Sequence, residues 1–276
     1  MGEAAPGMRE RQVAADSPDI IERREYKFLI DRETAAKLRA AIAPFCRLDP
    51  YAAASPTRTY AIDTLYFDTP DLRLFWANDL EQVDRFKLRV RGYTDAPDSP
   101  LYFEVKRRIN DVISKSRGKV PRSAWRSLLQ DDFAPIPDSI GGRDRMAVER
   151  FLALSRSMHV RPYTMVRYQR EPYFSTIDDY ARVTFDTRIR AHAADALTFD
   201  YDARQWRALD DAVTQREMTS CIVLELKFTN NVPLWLSSIA ARFGLVRGAF
   251  SKYGTSIRAF YEGAQMRAPR NAGGWR

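Results

Sequence analysis

The chain has 276 residues, of which 45% are hydrophobic, so it is long enough to bury a substantial core. It carries 44 Lys and Arg residues against 36 Asp and Glu, and the formal charge of +8 favours an anionic partner without identifying it. Because it has no apolar run of about 18 residues and no secretory signal, we expect a cytoplasmic protein without a membrane segment of its own. Cys46 and Cys221 lack CxxC spacing and are predicted to be reduced core residues.

The chain is predicted to contain one folded domain between two tails. Residues 1–20 and 264–276 are rich in Gly, Ala and Pro, and we expect a disordered leader and a flexible tail there. Residues 21–263 show neither an internal repeat nor an obvious division, so they are expected to fold as a single unit.

The first predicted element is a strand over 24–30, where apolar and charged residues alternate. Asp31 is placed to cap the helix that follows this strand. A second strand is predicted over 60–67, and Thr69 with Pro70 then predicts the beginning of a short helix.

The middle of the chain predicts an antiparallel meander. Alternating runs at 86–93, 101–109 and 112–120 are joined by short turns, and consecutive strands joined in this way must be antiparallel. Helices are predicted around 125–129 and 145–158. The remaining predicted elements are strands at 165–170, 181–189 and 222–228 and helices at 233–243 and 251–262, with Gly244 as a helix stop and Ser251 as a helix start.

The predicted strands carry an unusual charge pattern. Lys87, Arg89 and Arg91 share one face, because residues two apart in a strand point the same way. For one strand this pattern is typical of a solvated outer face, but like charges that stand opposite one another destabilise a sheet. The same alternation recurs at Glu25 and Lys27, at Glu104 and Lys106, at Lys115, Arg117 and Lys119, at Arg182, Thr184 and Asp186, and at Glu225 and Lys227.

These patterns together predict an α+β fold built on a closed antiparallel β-barrel, a tunnel of about eight strands with flanking helices. The absence of a βαβ rhythm argues against a parallel sheet. Closure would turn the apolar faces outward beneath the helices and the cationic faces inward, around a polyanion that neutralises them.

Three carboxylates stand at equivalent places, since Glu25, Glu104 and Glu225 each come two residues before a lysine. Each could be a salt-bridge partner of the surrounding cations, or an oxygen ligand of Mg²⁺ or Mn²⁺, which prefer carboxylate and phosphate oxygens. Asp186 is a weaker ligand candidate. The histidines, His159 and His192, lie outside these clusters, and we expect surface or loop positions for both.

A series of short motifs occurs in order along the chain: Glu25-Tyr26-Lys27-Phe28, Tyr66-Phe67-Asp68-Thr69-Pro70, Lys87-Leu88-Arg89-Val90-Arg91, Phe103-Glu104-Val105-Lys106, Arg182-Val183-Thr184-Phe185-Asp186, Leu224-Glu225-Leu226-Lys227 and Ser251-Lys252-Tyr253. Together they resemble the VTC (vacuolar transporter chaperone) domain over roughly residues 22 to 262. The resemblance implies the closed tunnel of the triphosphate tunnel metalloenzymes, which binds triphosphates with a divalent metal. Polymerase members of that family make inorganic polyphosphate from ATP.

The resemblance also implies roles for individual residues. Glu225 would be the metal ligand, and Glu25 and Glu104 remain the other candidates for Mn²⁺ or Mg²⁺. Phosphate contacts are implied for Lys27, Arg89, Arg91, Lys106, Arg167, Arg182, Lys227 and Lys252. Further substrate-binding candidates are Lys87, Lys115, Arg117 and Lys119, and which of the last three contacts phosphate stays open.

The first motif departs from the pattern of hydrolytic relatives, which begins Glu-x-Glu-x-Lys. Here Arg23 stands at the first glutamate position, followed by Glu25 and Lys27. This removes one potential metal ligand and favours a metal-dependent polymerase that transfers the terminal phosphate of ATP to a growing polyphosphate chain. The expected ligands are ATP and inorganic polyphosphate or triphosphate, and coupling of synthesis to transport would need a membrane-protein partner.

Three other functions are weighed against the polymerase. A metal-dependent triphosphatase would keep the tunnel and use water as acceptor, and a non-catalytic polyphosphate or nucleotide sensor would bind without turnover. Binding of nucleic acid is disfavoured, because the cations lie on strand faces without interleaved aromatic residues suited to base stacking.

Overall fold

The structure is a computed structural model that describes residues 23–93, 98–110, 112–178, 180–215, 221–229 and 231–261. The predicted leader and flexible tail therefore lie outside the described residues. The strands are β1 (Arg23–Ile30), β2 (Cys46–Leu48), β3 (Tyr60–Asp68), β4 (Asp84–Tyr93), β5 (Leu101–Ile109), β6 (Val112–Val120), β7 (Arg161–Ser175), β8 (Ala181–Ala193), β9 (Arg207–Ala208) and β10 (Ile222–Thr229). The helices are α1 (Arg32–Ile42), α2 (Pro50–Ala54), α3 (Arg73–Asp79), α4 (Trp125–Gln130), α5 (Gly142–Ser157), α6 (Ala212–Gln215), α7 (Leu234–Arg242) and α8 (Lys252–Tyr261), with a 3₁₀ turn at Ala203–Gln205.

One large antiparallel sheet organises the described chain. Its neighbouring strands run in the order β1, β10, β8, β7, β3, β4, β5, β6, while β2 pairs with β7 and β9 with β8. The predicted meander is confirmed, since β4 pairs with β5 and β5 with β6 in antiparallel register. The mixed α+β class is confirmed as well.

The predicted closure of the barrel is not observed. In the described residues the sheet ends at β1 and β6, which do not pair, although some of their Cα atoms lie within 8 Å of each other. The sheet curls far enough for Lys106 of β5 and Glu25 of β1 to form an ion pair at 3.3 Å. Both edge strands carry lysines, Lys27 on β1 and Lys115 and Lys119 on β6. Charged edges of this kind oppose strand pairing, because facing like charges are destabilising.

Helices cover the convex face of the sheet through two apolar clusters. Leu88 and Phe103 project from β4 and β5 into a cluster with Phe151 of α5. On the other side, Phe28 and Leu224 project from β1 and β10 beneath α1 and α7. The period-2 alternation of these strands therefore buries one face and leaves the opposite, charged face on the concave side.

The helix α8 lies on the concave face, beside β3, β7 and β8. Tyr253 and Ile257 of α8 pack in a third apolar cluster with Tyr66 of β3 and Tyr168 of β7. The Tyr66 and Tyr253 rings stack with their centroids 5.0 Å apart. This helix covers part of the concave face and leaves the rest to charged side chains.

Three predicted helix boundaries are confirmed. Thr34 N donates to Asp31 Oδ1 at 2.6 Å, and Gly254 N donates to Ser251 Oγ at 3.0 Å, so both side chains cap their helices. Gly244 follows α7 with a φ of +56°, a left-handed conformation that favours glycine and ends the helix.

The short helix predicted to begin at Thr69 begins at Arg73 instead. The reason is the preceding carboxylate: Asp68 accepts hydrogen bonds from Leu74 N and Phe75 N, both at 2.8 Å. These are amides of the first helical turn, which have no partner inside the helix. Thr69 plays a smaller part, accepting a hydrogen bond from Arg73 N at 2.9 Å. The helix therefore begins where the Asp68 carboxylate reaches its first turn.

Two further predictions concern the whole chain. No helix within the described ranges is both long and apolar enough to cross a bilayer. Cys46 and Cys221 are both free and buried, which confirms that they are core residues.

Candidate functional site

Charged side chains from most strands of the sheet, and from α8, meet on the concave face. Strand register sets their neighbours: Lys27 opposes Glu225 across β1 and β10, and Arg89 opposes Glu104, which in turn opposes Arg117. The predicted residues that the structure brings onto this face are Lys27, Lys87, Arg89, Arg91, Lys106, Lys115, Arg117, Arg182, Lys227 and Lys252.

The first group on this face, the Glu104 cluster, consists of one carboxylate and four cations. Glu104 is fully buried, and its Oε2 lies 2.7 Å from Arg89 Nε and 3.7 Å from Arg91 Nη1. Its Oε1 lies 2.8 Å from Lys115 Nζ and 3.4 Å from Arg117 Nε. Three consecutive strands thus share a single protein anion.

The pKa values in the Glu104 cluster reflect the excess of four cations over one carboxylate. Burial alone would raise the pKa of Glu104, but Arg91, Arg89 and Lys115 hold it well below its usual value. Burial lowers the pKa of Lys115 to about 7; the nearby Glu104 raises it, while Arg91 and Arg89 lower it further. Because its pKa is lowered, Lys115 gains a proton readily when an additional anion binds nearby.

The second group, the Glu225–Asp186 cluster, contains two carboxylates and three cations. Lys252 Nζ lies 2.5 Å from Asp186 Oδ2 and 3.4 Å from Glu225 Oε1. Arg170 donates from Nε and Nη2 to the two Asp186 oxygens, both at 2.7 Å, and its Nη2 lies 3.2 Å from Glu225 Oε2. Lys227 Nζ completes the group, 2.8 Å from Glu225 Oε2.

Charges in this second cluster are more nearly compensated. Burial would raise the pKa of Glu225, but Lys227, Lys252 and Arg170 hold it well below its usual value. Burial likewise disfavours the charged form of Lys252, but the carboxylates of Asp186 and Glu225 raise its pKa above the usual lysine value. The Lys252 ammonium is therefore held charged next to its two carboxylates.

Glu25 stands between the two clusters on β1. Its carboxylate lies 3.3 Å from both Lys27 Nζ and Lys106 Nζ, and 4.0 Å from Lys227 Nζ. Burial lowers the pKa of Lys106 to about 8; Glu25 opposes this shift, and the nearby Lys27 charge adds to it. Lys87 is desolvated too, and burial together with the Lys27 and Lys106 charges lowers its pKa well below the usual value.

The position of Lys252 depends on how α8 is fixed. Tyr253 donates a short hydrogen bond to the buried Asp68 carboxylate, the same group that accepts the first-turn amides of α3. Burial raises the pKa of Asp68 to about 6. One helical turn later, Ser256 Oγ and Thr164 Oγ1 are hydrogen bonded at 2.9 Å. These two links hold the N-terminal turn of α8, and with it Lys252, against the sheet.

Two predicted residues lie at the margins of the site. The Arg182 guanidinium lies over the rings of Phe174, at 4.4 Å, and Tyr180, at 5.0 Å. Lys119 is exposed at the far end of β6, and its backbone N donates to Asp144 Oδ1 at 3.0 Å. Neither side chain takes part in the two carboxylate clusters.

Arg167 was predicted to contact phosphate but lies on the other face of the sheet. Its Nε donates to Asp63 Oδ1 at 2.6 Å, and its guanidinium lies 5.0 Å from the centre of the Trp206 ring. The reason is strand parity, since Tyr168 and Arg170 take the concave positions of β7. Arg170 is thus the concave-face arginine of this strand that sequence reasoning missed, and the alternation with Tyr168 was the signal that could have found it.

The two histidines lie away from the concave site. His159 is exposed just after α5, as predicted. His192 lies on β8 rather than in a loop, and its Nε2 is hydrogen bonded to Gln205 Oε1 at 2.7 Å. Its ring packs against Tyr201 and Trp206.

The three predicted metal ligands, Glu225, Glu25 and Glu104, do not converge. Within the described ranges, no group of three or more His, Cys, Asp and Glu side chains is arranged to hold a metal ion. Glu225 does share Lys252 and Arg170 with Asp186, which brings two carboxylates together. Such a pair fits Mg²⁺ or Mn²⁺, which use one or two protein carboxylates and complete their coordination with phosphate oxygens and water.

The fold and site define a class: an α+β protein with one large antiparallel sheet whose concave face carries more cations than carboxylates. The VTC domain model matches residues 22–261, which is most of the chain. The protein belongs to the VTC domain family, in agreement with the motifs in its sequence. A search of curated proteins finds no match.

Solved structures with a similar fold are distant in sequence. A putative adenylate cyclase from Bacillus halodurans is 13% identical with a TM-score of 0.46, and the match covers 88% of this chain and 100% of that one. A putative adenylyl cyclase from Hippeastrum, whose title reports a dominant triphosphatase activity, is 13% identical with a TM-score of 0.48, covering 85% and 95%. Membership of the family rests on the domain match.

Proposed function

We propose that the protein is a metal-dependent polyphosphate polymerase, which transfers the terminal phosphate of ATP to a growing inorganic polyphosphate chain. The observation that carries this proposal is the surplus of partly buried cations over carboxylates on the concave face. In the protein alone, burial and mutual repulsion lower the pKa of Lys106 to about 8 and that of Lys115 to about 7. A bound polyphosphate would supply the missing negative charge and relieve this cost.

Phosphoryl transfer depends on positioning and charge neutralisation more than on covalent catalysis by the protein. Phosphoryl transfer spreads negative charge over the equatorial oxygens of the transferred group, and preorganised cations stabilise that charge. Arg89 and Arg91 offer forked donors suited to two oxygens, while Lys227 and Lys252 offer compact charges. In this proposal the other predicted cations of the concave face guide the polyphosphate chain along that face.

A divalent metal fits the Glu225–Asp186 cluster best. Glu225 and Asp186 would hold it, and when bound it would neutralise charge on the phosphate oxygens. Glu104 is a poorer ligand, because Arg89, Arg91, Lys115 and Arg117 already surround its carboxylate. We propose Mn²⁺ or Mg²⁺ as the metal, since both take oxygen ligands.

The carboxylates of the two clusters are poorly suited to activate water. Hydrolysis is helped by a base that takes a proton from water, and a carboxylate with a strongly lowered pKa is a weak base. The pKa values of Glu104, Glu225 and Asp186 are all held below their usual values by neighbouring cations. A phosphate chain end is already ionised and needs no such base.

The test is incubation of the purified protein with ATP and Mn²⁺ or Mg²⁺, followed by gel analysis for polyphosphate. Long chains that require the metal, and that disappear in Arg89→Ala, are expected. Orthophosphate as the sole product would replace the polymerase with a triphosphatase. Binding of polyphosphate without any metal-dependent turnover would make the protein a sensor.

A further inference from the structure

The chain from Phe250 to Lys252, where α8 begins, contacts lysines from two strands of the concave face. Lys27 of β1 donates from Nζ to the Phe250 carbonyl oxygen at 3.0 Å. Lys87 of β4 donates from Nζ to Ser251 Oγ at 3.1 Å. Both acceptors are uncharged, so these bonds fix the two ammonium groups without neutralising them. Together with Lys252 itself, three consecutive residues therefore set the positions of three lysines that are predicted to bind substrate.

The next residue, Tyr253, ties this segment to the corner between β3 and α3. Its side chain is buried, and its hydroxyl donates to the Asp68 carboxylate, which is buried as well. That carboxylate also accepts hydrogen bonds from Thr69 N at 2.7 Å and from Leu74 N and Phe75 N at 2.8 Å. Three backbone amides therefore fix the acceptor, and Asp68 gives the start of α8 a rigid point of attachment.

The protonation states of both partners support this hydrogen bond at neutral pH. Burial raises the pKa of Asp68 to about 6, so its carboxylate is mostly ionised at pH 7. Burial and the Asp68 charge raise the pKa of Tyr253 well above its usual value, so the hydroxyl keeps the proton that it donates. The bond is therefore charge-assisted, which makes it one of the stronger kinds of hydrogen bond in proteins.

We infer that Asp68 and Tyr253 are positioning residues of the concave site. The hydrogen bond between them sets the place of Lys252 and, through the two residues before it, of Lys27 and Lys87. Both side chains are buried, so they act on a bound polyphosphate through these lysines. Such support matters because a site binds tightly only when its charged groups are held close to their productive positions. This inference rests on the proposed function and adds to it the element that orders the lysines.

Tyr253→Phe is the most direct test, because it removes the hydroxyl while stacking on Tyr66 keeps the buried ring in place. The matched control is Tyr261→Phe at the other end of α8, where the lost hydroxyl donates to Tyr163 O at 3.0 Å. Tripolyphosphate affinity is measured by calorimetry on the full chain without metal, together with the thermal transition of each variant. We expect Tyr253→Phe to weaken binding about fivefold, the scale of one hydrogen bond, and Tyr261→Phe to change it less than about twofold.

A double-mutant cycle with Lys252→Met separates positioning from a general loss of stability. In that background Tyr253→Phe should weaken tripolyphosphate binding less than about twofold, because the main side chain through which it acts is gone. Equal fold-changes in the two backgrounds would overturn the inference. So would a Tyr253→Phe protein that binds no more weakly than Tyr261→Phe. A wild type that does not bind tripolyphosphate would defeat the proposed function itself, and this inference with it.

Discussion

The two carboxylate clusters of the concave face differ in how far the protein balances its own charges. The Glu104 cluster sets one carboxylate of β5 among four cations from the two flanking strands, β4 and β6. The Glu225–Asp186 cluster sets two carboxylates among three cations drawn from β7, β10 and α8. The first therefore gains most from an added anion, and the second is the one that brings two carboxylates together.

The largest expected difference concerns stability. Glu104→Gln removes the anion shared by four cations, and we expect it to lower the free energy of unfolding by about 3 kcal/mol, the lower range for breaking a buried pair. The lower range applies because Lys115 and Arg117 are partly exposed. Asp186→Asn should cost less, since Glu225 still balances Lys252 and Arg170.

Chemical denaturation of both variants, with and without tripolyphosphate, measures this difference. Tripolyphosphate should restore most of the loss in Glu104→Gln, because it supplies the charge that the substitution removed. Equal destabilisation of the two variants, or no rescue by the anion, would show that the clusters are not electrostatically distinct.

A second comparison separates anion binding from metal dependence. Arg89→Ala should weaken tripolyphosphate binding roughly 10- to 100-fold, the scale of one charge-assisted contact, while leaving the protein folded because three cations still surround Glu104. Glu225→Gln should bind tripolyphosphate at least as tightly without metal, since it removes a nearby negative charge, but should lose any enhancement by Mn²⁺.

Calorimetric titration of each variant with and without Mn²⁺ tests this pair of expectations. The Lys119→Ala variant is a suitable control, because Lys119 is exposed and lies outside both clusters. An Arg89→Ala protein that does not fold, or a Glu225→Gln protein that keeps its metal response, would contradict the assignment of the two clusters.

The smallest expected effect is on pH dependence. With its pKa lowered to about 7, Lys115 is mostly neutral at pH 8, and a bound anion raises that pKa. Tripolyphosphate binding at pH 8 should therefore take up protons, and the affinity should fall a few-fold between pH 6 and pH 8. Without ligand, Lys115 makes stability rise from pH 7 towards 10.5, because only the unfolded lysine keeps its proton there.

Calorimetry in buffers of different ionisation enthalpy measures the proton uptake. Lys115→Arg is the matched variant, since its guanidinium stays charged. The pH dependence that remains in this variant belongs to the ligand and to Lys106 and Lys87, whose pKa values are also lowered. If the wild type and this variant take up the same number of protons, Lys115 is not the group that titrates.

Most of the site could be read from the sequence because strand alternation is local. In β4, β5 and β6, residues two apart share a face, and the short turns fix which strands are neighbours. Lys87, Arg89 and Arg91 were therefore placed together correctly. The predicted face of β7 was wrong: Arg170, not Arg167, points to the concave side, because the two alternating faces of this strand both carry an arginine.

The role of the Asp68 carboxylate was not predicted from the sequence, for a different reason. It binds both the first turn of α3 and the hydroxyl of Tyr253, and the second of these contacts spans most of the chain. A local motif shows that Asp68 precedes a helix, but not that a distant tyrosine donates to it.

By itself, the sequence determined the family, the antiparallel strands and the charged face that each strand presents. These follow from short motifs and from a side-chain period of two, which need no long-range information. Tertiary structure alone decided that, among the described residues, β1 and β6 do not pair and Glu25, Glu104 and Glu225 form no group that could hold a metal ion. It also decided that α8 brings Lys252 to Asp186. Those outcomes depend on sheet curvature and on contacts between segments that are distant in the sequence. Such contacts determine which charged side chains neutralise one another.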